Sequence, residues 1–213
     1  MYIKLMCILN HRIKTLLMKF QFPLIIFLLL FSAGEAISQS FQSASEHPVA
    51  VSIVGGSTLH DWTVACGTIE EYPTSFDLTV KEGSIIDSFT FSVQVKSMEG
   101  GRGSIMNTKI FNALKSEEHP NVKYQQTTPA TISSVDGDGN FTLTSTGLLQ
   151  MAGQEKEVSV SVTGQLKDNV LVFTGSHPMK LSDFEIDPPS AMFGQIQTKD
   201  DITVNFEFRY TTK

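Results

Sequence analysis

From Asp200 to Tyr210 the chain reads DDITVNFEFRY, with Ile202, Val204, Phe206, Phe208 and Tyr210 at every second position and Thr203, Asn205, Glu207 and Arg209 between them. Successive side chains of a strand point to opposite faces, so this order buries one face and wets the other. The rhythm recurs at Phe76, Leu78 and Val80, at Phe89, Phe91, Val93 and Val95, and at Val158, Val160 and Val162. Turn-forming stretches punctuate the runs: KEGS at Lys81, DGDGN at Asp136, MAGQ at Met151, LKDN at Leu166 and DPPS at Asp187. Many short alternating strands joined by hairpin turns predict an all-β antiparallel barrel or sandwich. GSIMNTKIFNALKSEEHP departs from the rhythm. Its Met106, Ile110, Phe111 and Leu114 fall at helical spacing, Ser104 or Asn107 can cap the start, and Pro120 ends it. This predicts one short helix, about Met106 to Lys115, against one end of the sheet.

Residues 1–38 read differently from the rest. Lys4, Arg12, Lys14 and Lys19 precede an apolar run from Phe22 to Phe31, and Ala36 and Ser38 are small residues two apart. This is the pattern of a secretory signal peptide, and MKFQFPLIIFLLLFSAGEAIS from Met18 is already complete by the same criteria. The apolar run is about ten residues, short of the roughly 20 a membrane-spanning helix needs. The expectation is therefore export to the periplasm or beyond, with residues 39–213 as one domain and no stable membrane insertion after cleavage. The whole chain carries a formal net charge of −6. Loss of residues 1–38 removes four basic residues and one acid, leaving a more acidic protein. Such a surface repels phosphate backbones, which argues against nucleic acid as a partner. Cys66 is then the sole cysteine, so no internal disulfide can form and the fold rests on its core.

The stretch GGSTLHDWTVACG, Gly55 to Gly67, holds the single Trp of the chain, with a His-Asp pair directly before it and a Cys after it. A Ser57, His60, Asp61 triad fails, because adjacent strand residues face opposite ways. By the same alternation Asp61 shares the side of Leu59, while His60 and Trp62 share the other unless a bulge intervenes. The two readings are a strand-end cluster that closes a barrel and a contact for a ligand headgroup. Cys66 in VACG reads as a small buried residue. His47, His119 and His177 each precede a proline and are far apart, without metal-ligand spacing, so they read as loop residues. DGDGN lacks the Glu and flanking helices of a calcium loop, and GGRGS lacks the lysine of a phosphate-binding loop. No metal site and no catalytic residue emerge.

Most of the 15 Phe residues sit on alternating strand faces. They fill a barrel interior or line a tunnel through it, and periodicity does not separate the two.

Beyond these patterns, FSVQVKSMEGGRGSIMNTKIFNALKSEEHPNVKYQQT resembles the YceI-like family, with its "V..M" strand end, "N..I...LKS" helix and acidic EEHP. GLLQMAGQEKEVSVSV is similar to the family hairpin "G.L...G....V...V", filled by Gly147, Gly153, Val158 and Val162. MKLSDFEIDPPSAMFG is similar to its "SDFGI" strand, with Ser182, Asp183, Phe184 and Ile186 in place and Glu185 where glycine is usual. TKDDITVNFEFR corresponds to the closing strand. The family's aliphatic "F.VKH.G" opening is here Leu-His-Asp-Trp.

The resemblance implies a lipocalin-like antiparallel barrel of about eight strands, exported, holding a long polyisoprenoid, an isoprenoid quinone or a related amphiphile and no other cofactor. Each buried CH2 contributes roughly 0.8 kcal/mol, so three or four isoprene units supply about 12 to 16 kcal/mol gross. Association costs about 4 to 15 kcal/mol, so the chain must be long. Candidate lining residues are Phe89, Phe91, Val93, Phe141, Leu143, Phe173, Val204 and Phe206, with Phe111 and Leu114 near a mouth. His60, Asp61 and Asp183 are the candidate headgroup contacts. Which face points inward is a parity assignment that a slip of one residue reverses. Three functions stay open: a non-enzymatic carrier, a solid-core envelope module that meets a protein partner, and an enzyme on an isoprenoid quinone using His60 and Asp61. The polar outer faces suit a monomer, and an unpaired edge strand would permit a dimer.

Overall fold

The computed structural model describes residues 38–45 and 49–213. The expected export segment, apart from Ser38, and His47 lie outside the described residues.

Eight walls run up and down in chain order. The first is β1 (Gln39–Ser43) and β2 (Val49–Ser57); the second is β3 (Asp61–Cys66), β4 (Ile69–Tyr72) and β5 (Ser75–Leu78). After a two-residue strand β6 (Ile85–Ile86), the third wall is β7 (Thr90–Gln94) and β8 (Met98–Gly100). Helix α1 (Ser104–Ala113) follows. The fourth wall is β9 (Asn121–Thr128), extended past β10 (Ala130–Thr131) by β11 (Ser134–Val135). Three long strands come next: β12 (Asn140–Met151), β13 (Gln154–Lys167) and β14 (Val170–Lys180). A short β15 (Ser190–Ala191) precedes the last wall, β16 (Ile196–Thr212).

Every adjacent pair is antiparallel, and the ring closes. β16 pairs with β14 on one side and with β2 and β1 on the other. The third wall meets β3 through Cys66↔Met98 and β4 through Ile69↔Val93. Between those ladders the 3-10 turn Val95–Ser97 is bridged by Gly67 N–H to Ser97 O (3.2 Å) and Gln94 N–H to Thr68 O (3.0 Å). The sheet therefore has 14 strand segments but eight walls, the expected architecture. Closure removes most of the exposed edges that make open sheets prone to association.

Two buried clusters lie toward the two ends. One gathers Phe41, Leu78, Ile132, Phe141, Leu171 and Tyr210, the other Val64, Met98, Leu114, Met151, Leu181 and Phe184. Helix α1 lies under the second, two residues earlier than the spacing predicts. Its N-cap is Gly103 in a left-handed backbone (φ 76°), while the Asn107 side chain turns away to accept the Gly100 N–H (2.8 Å). The predicted SDF strand is instead a 3-10 turn, Leu181–Phe184, because Leu181 and Phe184 both drop into the second cluster, which an alternating strand cannot do at that spacing.

Where the first, second and eighth walls meet, Glu71 accepts hydrogen bonds from Ser43 Oγ (2.5 Å) and Tyr210 Oη (3.1 Å). Desolvation raises its carboxyl above the ordinary range, and the two hydroxyls pull it back only in part. A raised folded-state pKa gives stability that is fully present below the unfolded value and is lost as pH rises through the folded one. Glu71→Gln keeps an acceptor without the charge. It should be at least as stable as the wild type at neutral pH, with the difference closing as pH falls, as read by urea unfolding across a pH series.

Glu185 ends its 3-10 turn in the left-handed region (φ 53°, ψ 34°), which explains the glycine usual there. A side chain in this conformation costs roughly 1–2 kcal/mol, and glycine's freer unfolded chain offsets about 0.4–1 of the relief. Glu185→Gly should therefore hold or gain up to about 1 kcal/mol, whereas Glu185→Val should lose about 1–2 kcal/mol because β-branching crowds the same backbone. Urea midpoints of the two variants check both.

Candidate functional site

The inward faces of the walls do not fill the barrel. They enclose a cavity of about 450 Å³, within the range of small-molecule sites. Phe89, Phe91, Val93, Leu143, Phe173, Val204 and Phe206 line it from the strands, and Leu114, just past the end of α1, lines its floor. The parity assigned from the sequence is thus the inward one. Two candidates stand outside the lining. Phe141 lies flat over Gly164, its partner on β13, where an added Cβ would come 2.0 Å from the ring; Phe173 packs edge-on against it, so the ring is sealed in the first cluster. Phe111 packs against the second cluster from α1, and the helix sits beneath the barrel rather than in it.

The two ends differ. At the floor Met98, Leu114, Met151 and Ile202 are all buried. At the other end Asp77, Asp87 and Ser88 are exposed, and Ile85 is 60% exposed, so this end is the mouth. Gln126 shapes the mouth: its Nε2 donates to Ile86 O (3.0 Å) and Thr128 O (2.9 Å), and its Oε1 accepts the Phe89 N–H (3.1 Å). Aromatic rings pave the wall inside. Phe206 lies across Gly175, where an added Cβ would come 2.1 Å from Cζ, so the absent side chain gives the ring room to lie against the sheet instead of across the lumen.

His60, Asp61 and Asp183 do not sit at this mouth. Ser57 and His60 close the β2–β3 hairpin at the floor end: Ser57 N–H and Oγ–H both reach His60 O (2.9 and 2.8 Å), and Ser57 Oγ lies 3.1 Å from His60 Nδ1. His60 therefore precedes the strand, and the alternation applied to it breaks there. Trp62 points inward over Gly55 and donates Nε1–H to Gly56 O (3.0 Å), while Asp61 is exposed on the outer side. Asp61 and Asp183 do meet, with Lys180 and Asp201, in a shallow outer recess near the floor. Leu59 and Asp61 are both exposed, as the shared side requires.

His177 is the residue that sequence reading missed. It is no loop residue: it lies in β14 on the inward face with Phe173, Gly175 and Met179, and it lines the cavity. The alternation of VLVFTGSHPMK was sufficient to find it. Pro178 obscured that signal, yet it is tolerated because β13 pairs with β14 only as far as Val162↔Gly175, so no partner strand asks for its missing N–H. Burial holds the His177 imidazole below the ordinary histidine range. Cys66 also faces the cavity, and burial pushes its thiol up to about 11, which keeps it protonated and poorly nucleophilic at neutral pH.

Solved structures share this architecture. Burkholderia cenocepacia BcnA aligns with a TM-score of 0.56 at 16% identity, covering 76% of this chain and 95% of that one. A polyisoprenoid binding domain from Saccharophagus degradans, implicated in plant cell wall breakdown, gives 0.55 at 10% identity, covering 83% and 100%. The Campylobacter jejuni YceI protein gives 0.52 at 12% identity, covering 70% and 84%. No curated protein matches the chain. The model of the YceI-like domain matches residues 48–210, from just ahead of β2 to near the end of β16, and the chain belongs to that family.

Proposed function

We propose that the protein is an exported, non-enzymatic carrier that holds one long polyisoprenoid or isoprenoid-quinone chain inside its barrel. The observation that carries this reading is the cavity itself, apolar along its walls, closed at the floor and open at a rim of Asp77, Asp87 and Ser88. A packed interior would have favoured the envelope module instead. Chemistry at His60 and Asp61 has little support, since neither lines the cavity and His60 is tied into a turn. Lipid binding is also what the Saccharophagus domain is named for.

Mature protein purified without detergent, extracted with organic solvent and weighed by mass spectrometry should release a stoichiometric isoprenoid species. An extract without lipid, repeated after incubation with bacterial lipids, would sink the proposal. Val160→Phe adds a ring to the lumen from β13. It should cost about 1–3 kcal/mol of stability and lower the recovered lipid at least tenfold while the barrel's far-UV circular dichroism persists.

A further inference from the structure

Several polar side chains of the cavity already have partners. Tyr124 Oη and Ser145 Oγ bond to each other (2.6 Å), Gln126 holds the mouth segment, Tyr210 gives its hydroxyl to Glu71, and Asp77 accepts the Ser40 hydroxyl. Asp87 and Ser88 stand in water at the rim. His177 and the Cys66 thiol face the lumen with no hydrogen-bond partner among the described residues, and of the two the imidazole is the stronger donor and acceptor; its shift has desolvation as its cause, with no bonded group contributing. Its inward neighbours are Gly175 and Met179 on its own strand and Val204 opposite on β16. On its other flank β13 has already parted from β14. The imidazole is only half-buried, so an apolar ligand that fills the lumen strips its remaining water, and a ligand oxygen that pairs with it offsets that cost.

The charges of the site limit what that ligand carries. No Lys or Arg lines the cavity among the described residues, and its charged members are the carboxylates Asp77 and Asp87. An anionic head would be desolvated without a counter-charge. A neutral imidazole offers one donor and one acceptor, which suits a hydroxyl or carbonyl oxygen.

We infer that His177 is the polar binding residue of the cavity, hydrogen-bonding the uncharged oxygen of a long apolar chain, an alcohol or quinone carbonyl and not a phosphate. This rests on the carrier reading, and the test separates the two. Phytol, phytane and phytyl phosphate share one chain and differ in the head. Each would compete with the fluorescent probe N-phenylnaphthylamine for delipidated mature protein. Phytol should bind about fivefold more tightly than phytane, the size of one net hydrogen bond, and phytyl phosphate no more tightly than phytol. His177→Leu should bring phytol down to the level of phytane and leave phytane unchanged, while His177→Gln keeps most of the preference. A phytol preference that survives His177→Leu, or phosphate as the tightest ligand, would overturn the inference and leave the carrier reading standing. Failure of all three to displace the probe would overturn both.

Discussion

The interior exists because β16 closes the ring. Its 17 residues pair with β14 along eleven positions and, on the opposite edge, with β2 and then β1, so the first and last walls of the domain complete one hydrogen-bonded circuit. An open sheet carrying the same alternating Phe faces would bury them by folding on itself, and the product would be a packed sandwich. Closure holds the faces apart, and eight walls are enough to leave room for one small ligand. The 3-10 turn Val95–Ser97 is part of the same device. It lets a single run of chain serve β4 and then β3 without opening the seam between them.

Alternation was enough to read the wall residues and their inward parity, since a strand has only two faces and Ile202, Val204 and Phe206 could not all be wet. It could not say whether those faces touched. That depends on details such as Gly175 beneath Phe206 and Gly164 beneath Phe141, which let one ring lie along a wall and another pack into the first cluster. The errors have a common origin as well. The SDF turn and His177 depart from what the local signals predict, a strand carried too far and a proline that marks a loop. Each is governed by neighbours distant in sequence: the floor cluster under Leu181 and Phe184, and the departure of β13 from β14.

The parting of β13 and β14 leaves two stretches of unpaired strand edge in the wall. Such edges invite pairing with other chains, and Pro178 removes one donor where the opening begins to widen. On the inner side of that opening stand Val158, Val160, His177 and Met179. His177 also divides the lumen by composition. Toward the mouth the lining is aromatic, with Phe89, Phe91, Phe173, Phe206 and Phe208; toward the floor it turns to Met98, Met151 and Met179. Rigid rings set a fixed width for an extended chain, whereas methionines adapt to an end of irregular shape. An oxygen held at His177 would therefore sit where the aromatic half meets the methionine half, beside the parting of β13 and β14.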